Sequence, residues 1–223
     1  MLRNFLWAAL LIGMFALPGL NQVAQASQET QADWAKYMLK VLNTKPGDRL
    51  RDFKTYCEAG ETRFCVNLAD IYLKEIGKKQ GEEKAAFYYK KACDLGGTGG
   101  CHKLGNMYSF GTGIEQSDTK AFKYFEQACN GRDVQGCVSL GEAYEEGLGV
   151  PVDEARAFEI YENSCNRGTE ATCVNLGVMY ELGLSVAQDY NKAFGLYKQT
   201  CLNGVGLGCD YWSILKKKGL GAE

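Results

Sequence analysis

Ten cysteines, a single histidine and two Ser-x-x-Lys quartets are the side chains whose types and spacing offer chemistry in this chain. The cysteines form five couples, each eight positions apart: Cys57–Cys65, Cys93–Cys101, Cys129–Cys137, Cys165–Cys173 and Cys201–Cys209. The leading cysteines step by 36 residues, and no cysteine is left over. Thiols in such an array can hold zinc, exchange as redox dithiols or close as disulfides. Zinc needs about four Cys or His ligands, often in C-x-x-C steps, whereas this chain has no C-x-x-C and only His102. Reactive dithiols favour the same C-x-x-C at a helix start. The spacing therefore predicts five disulfides, no metal site and no cofactor.

Ser-x-x-Lys is the spacing of serine acyl-transfer enzymes, where a base activates the hydroxyl and S-D-N and K-T-G complete the site. Ser117-Asp-Thr-Lys120 and Ser213-Ile-Leu-Lys216 match it, and neither companion motif is present. Ser117 falls in the column of Asp153 and Asp189, where a side-chain oxygen caps a helix. Lys120 shares its column with Lys84, Arg156 and Lys192, and Ser213 lies in a column of small packing residues. His102 reads as an ordinary helix-start residue. Catalytic residues remain unassigned.

The 36-residue period decides the elements that carry these side chains. Eleven residues after each leading cysteine stand Leu68, Leu104, Leu140 and Leu176, followed by the small residues Ala69, Gly105, Gly141 and Gly177. Four residues after each leucine come Tyr72, Tyr108, Tyr144 and Tyr180. Positions i, i+1 and i+4 share one helical face, so each unit begins with a helix that a neighbour can approach closely. Gly111, Gly147 and Gly183 then stop it in the left-handed conformation suited to a helix end. A second helix follows, marked by Ala85, Ala121, Ala157 and Ala193 and, four places on, Tyr89, Phe125, Tyr161 and Tyr197.

A continuous helix would hold residues eight apart at about 12 Å, beyond the roughly 7 Å that a disulfide tolerates. The chain must reverse between paired cysteines, at Gly60, Gly96, Gly168 and Gly204, with Arg132 in the same place in one unit. Each bridge then staples the end of one helix to the start of the next. The expected fold is all-α, a right-handed αα-superhelix (solenoid) whose units bury apolar surface by stacking.

The ends carry other signals. Residues 1–26 read as a signal peptide: Arg3, the apolar run Phe5 to Leu17, Pro18-Gly19, and the cleavage pattern Ala24-Gln25-Ala26. Thirteen apolar residues are too few for a membrane-spanning helix, so the reading is a secreted or periplasmic protein with no membrane span after cleavage. An oxidising compartment agrees with paired cysteines. Residues 27–56 are expected to form N-terminal capping helices, 57–209 the stapled repeats, and 210–223 a C-terminal capping helix and tail. The formal net charge of −2 gives no basic excess, so nucleic acid is not an expected partner. The chain is expected to be a monomer.

The pattern Leu-Gly-x-x-Tyr-x-x-Gly-x-Gly, then Asp-x-x-(Lys/Arg)-Ala-Phe-x-x-Tyr, resembles the Sel-one-like repeat, a relative of the tetratricopeptide repeat. With cysteines eight apart in every unit behind a signal sequence, it is similar to the Helicobacter cysteine-rich protein family. The resemblance covers residues 57–221. Members are described as penicillin-binding proteins or slow β-lactamases, and related repeat proteins act as adaptors.

Two functions follow from that resemblance. The first is a scaffold holding a protein, peptide or cell-wall-like ligand in a concave groove lined by the first helices. The second is slow hydrolysis of a β-lactam amide, with a β-lactam or peptidoglycan-like acid as ligand. The groove candidates are Asn67, Asp70, Lys103, Asn106, Glu142 and Asn175, of which Asn67, Lys103, Asn106 and Asn175 would clamp a carboxylate. The column Ile71, Met107, Ala143 and Met179 lies on the same side; it either lines the groove or fills gaps between units.

Overall fold

The computed structural model describes residues 46–75 and 78–221; the signal sequence and the helix expected over 30–42 lie outside them. The chain divides into two compact units, Met1–Asp52 and Phe53–Glu223. Of the first, only residues 46–52 are described, the opening of helix α1 (Pro46–Glu58), where Arg51 pairs with Asp48 at 3.1 Å.

The second unit is an all-α solenoid. After α1 come α2 (Thr62–Glu75), α3 (Lys78–Asp94), α4 (Thr98–Phe110), α5 (Asp118–Asn130), α6 (Val134–Glu146), α7 (Glu154–Asn166), α8 (Glu170–Leu182), α9 (Tyr190–Leu202) and α10 (Gly206–Lys218). Helices α2, α4, α6 and α8 are the first helices of successive pairs, and α3, α5, α7 and α9 are the second. Consecutive helices pack together from α2 to α10, and each first helix from α2 to α6 also packs on the next first helix. Among the described residues no two second helices meet as closely. The face lined by first helices is therefore the inner side of the row.

Local sequence explains each element. Ser117 Oγ accepts from Lys120 N, Asp153 Oδ1 from Arg156 N, and Asp189 Oδ1 from Asn191 N and Lys192 N, capping the second helices. The first helices end on left-handed Gly111, Gly147 and Gly183. Leu68, Leu104, Leu140 and Leu176 are buried. A methyl group at Gly105, Gly141 or Gly177 would overlap Phe125, Tyr161 or Tyr197 of the second helix, so the missing Cβ sets how closely the two helices approach.

The arches between pairs repeat one hydrogen-bond scheme. Gly97 N donates to Ala92 O, Asp133 N to Ala128 O, Thr169 N to Ser164 O and Val205 N to Thr200 O, each around a left-handed residue. This six-to-one closure reverses the chain within a few residues. It brings the cysteines eight apart to Cα separations of 4.4–4.7 Å, and all five couples are bridged. Gly60, Gly96, Gly168 and Gly204 occupy the left-handed position, and Arg132 occupies it with φ 66°.

The column Met107, Ala143 and Met179 is buried, with Leu215 continuing it in α10. Of the two alternatives for that column, the structure selects packing between units: adjacent first helices touch, so a side chain three places past the leucine points at the next unit.

Candidate functional site

On the inner face, the candidate residues form three small constellations. Asp70 of α2 pairs with Lys103 of α4 at 3.1 Å and accepts a hydrogen bond from the Tyr89 hydroxyl of α3. The Lys103 ammonium also stands 5.6 Å from the Tyr89 ring centre. Asn106 bonds the His102 ring at 3.1 Å, and Ser139 of α6 reaches the same nitrogen at 3.4 Å. Burial lowers the His102 pKa, keeping the ring neutral and able to act as a hydrogen-bond link between units. Asn175 and Glu142 stand beside the Tyr161 hydroxyl, which donates to Glu145 at 2.8 Å. Asn67 is half-buried on α2, apart from these three.

The four proposed clamp residues are thus divided among separate contacts. Lys103 already faces a carboxylate, which offsets its pull on an incoming acid. Burial, then repulsion from Glu146 and Glu145, pushes the Glu142 pKa up; burial also raises that of Glu145, with Glu146 and Glu154 adding to the rise and donation from Tyr161 opposing it. The middle of the inner face is therefore acidic. Phe110 is 79 % exposed and Leu182 59 % exposed, and in their column they flank Glu146. Beside Phe110 opens a cavity of about 220 Å³ lined by Leu73, Tyr89, Lys103, Asn106, Met107 and Thr112.

Sequence reasoning missed the tyrosine–acid contacts. Tyr89 reaches Asp70, Tyr161 reaches Glu145, and Tyr197 reaches Glu181 at 3.1 Å. Burial first, then the adjoining carboxylate, raises all three phenol pKa values, so each stays a hydrogen-bond donor. Both Ser-x-x-Lys quartets are structurally engaged. Lys120 Nζ sits 5.2 Å from the Tyr108 ring centre, as Lys84 does on Tyr72 and Lys192, at 4.6 Å, on Tyr180. Ser213 Oγ donates to Asp210 O, and Lys216 lies over Trp212.

Helix pairs, left-handed arches and a bridge in every arch define a class: a disulfide-stapled αα-repeat scaffold. The chain belongs to the Sel1 repeat family, whose repeats match residues 63–97, 99–133, 134–169 and 171–205. It is similar in structure to a Sel1 repeat protein from Oxalobacter formigenes (TM-score 0.64, 25 % identity, covering 70 % of this chain and 64 % of that one). It also resembles c5321, a protective antigen of uropathogenic Escherichia coli with the same fold (TM-score 0.58, 25 % identity, 81 % and 46 % covered). Helicobacter pylori cysteine rich protein B is another neighbour (31 % identity, TM-score 0.47, 57 % and 91 % covered). The chain spans less than two thirds of the first two proteins' lengths. Among curated proteins no match is found.

Proposed function

We propose that the protein is an exported scaffold that binds a protein or peptide partner on the inner face of its first helices. The observation that carries this reading is the exposure of Phe110 and Leu182 around the acidic centre at Glu142 and Glu146. An exposed aromatic beside an open cavity walled by Leu73, Tyr89 and Met107 is a place where a partner's apolar side chain can be buried. The partner segment would set one apolar side chain into the cavity beside Phe110 and a basic side chain over Glu142. Five disulfides and the signal-like residues 1–26 support a periplasmic or extracellular setting. Among the described residues no helix is long and apolar enough to cross a membrane. Among the described residues no contact favours the β-lactam reading, since both candidate serines and their lysines have structural partners.

A photo-crosslinking amino acid at position 110 or 182 tests this reading against the same group at Phe87, which is 62 % exposed on a second helix. Capture of one partner from positions 110 and 182 but not 87, with at least about tenfold weaker binding in Phe110→Ala/Leu182→Ala, is expected. Equal capture from all three positions would exclude the inner face.

A further inference from the structure

Two arginines line one open cavity outside the inner-face site. Arg132, in the arch between α5 and α6, and Arg167, in the arch between α7 and α8, line a space of about 430 Å³ with Cys137 and Thr169. Arg167 also borders a second cavity of about 410 Å³, lined by Asn130, Asn163, Ser164 and Asn166 together with Leu140 and Ile160. No carboxylate lines either space. Among the described residues neither arginine is in an ion pair. The adjacent Asp133 is turned into α6, where its Oδ1 accepts from Gly136 N at 2.8 Å.

Arg132 stands where the other four arches use glycine, with φ 66° against 86–97° for Gly60, Gly96, Gly168 and Gly204. The arch closes without any side chain there, so its geometry does not explain an arginine. Arg167 is held by donation from its Nε to Asn163 O at 3.1 Å and from a terminal nitrogen to Ser164 Oγ at 3.3 Å, which leaves the rest of the fork free. Two guanidinium groups with no carboxylate partner among the described residues, one of them keeping free donors, supply the charge and N–H groups that a dianionic tetrahedral group needs.

The geometry points to a binding site for a phosphate or sulfate group, as the free ion or as an ester whose organic part occupies the second cavity. This site is independent of the inner face and of any partner bound there. The test is phosphorus NMR of the oxidised full-length protein at low salt, titrating inorganic phosphate and, separately, glucose 6-phosphate. Saturable line broadening, competed by sulfate but not by chloride at equal ionic strength, is expected. Arg132→Gly and Arg167→Gln should each weaken it at least about tenfold, the scale of one charge-assisted contact. Arg132→Gly restores the glycine of the other arches, so it should melt no lower than the parent, which separates lost binding from lost folding. Tighter binding of the ester assigns an esterified ligand; equal binding assigns the free ion. No saturable broadening with either probe, or full broadening in Arg132→Gly, would overturn the site.

Discussion

Replacing Cys129 and Cys137 together by alanine removes one staple from the middle of the row. The bridge closes a ring of nine residues, since the cysteines are eight apart. Loop-closure entropy for that ring gives about 2.6 kcal/mol of stabilisation at 25 °C. Both cysteines are buried, and alanine keeps part of that apolar contact, so the entropic part should dominate the loss. For a chain of this size the melting midpoint should fall by about 5–10 °C. The companion variant Cys201→Ala/Cys209→Ala removes a staple of equal length at the end of the row, where α10 packs chiefly on α9. Its unfolded-state entropy is the same, but in a stack of nearest-neighbour contacts only the last helix loses its anchor. Calorimetry should show similar free-energy losses. Native-state hydrogen exchange should show faster exchange confined to α10 in the terminal variant, and on both sides of the arch in the central one. A fall of less than about 2 °C in the central variant would refute the entropic account. Identical exchange patterns in the two variants would refute the independence of the units.

Two further outcomes follow from the inner face. Glu142 has a pKa raised in the folded state above the ordinary 4.5, so folded protein holds a proton that the unfolded chain releases. Stability should then decline as pH rises from about 4.5 through the raised value; in Glu142→Gln the decline should flatten, read from urea midpoints between pH 4 and 8. Tyr161→Phe leaves half-buried Glu145 without its donor and should cost about 1–2 kcal/mol by urea unfolding; an unchanged midpoint would deny the contact any structural role.

Much of the fold was legible because its determinants are local. Cysteine spacing, the caps at Ser117, Asp153 and Asp189, and the left-handed glycines all act within about ten residues, and the 36-residue period repeats them. Contacts between units were not legible. Lys103 meets Asp70 across 33 positions only because α4 settles on α2 with a particular offset, and no helical period contains that offset. The same offset turned the Met107 and Met179 column inward and dispersed the clamp residues. Lys120 shows the reverse case: its column was visible, but the ring beneath it belongs to the opposing helix.

The tyrosine–acid contacts show what comparison of units within one chain can still reveal. Their aromatic column reads Tyr89, Phe125, Tyr161, Tyr197. Two columns of the facing first helices can supply an acid: one holds Asp70, Asn106, Glu142 and Val178, the other Leu73, Ser109, Glu145 and Glu181. Wherever at least one of the two is acidic, the aromatic residue is tyrosine and its hydroxyl bonds that acid's column or its neighbour. The pair α4/α5 offers Asn106 and Ser109, and there the residue is phenylalanine. A buried hydroxyl without a partner costs about 1–3 kcal/mol, so each pair must settle this choice within itself, irrespective of its position in the row. The choice of tyrosine or phenylalanine thus follows the acid within the same hairpin, while Lys103 and Asn175 of the following units add to the contacts of Tyr89 and Tyr161. The column of Phe110, Glu146 and Leu182 lies outside this rule and varies freely from unit to unit, beside Glu142, whose hairpin satisfies its tyrosine through Glu145 instead.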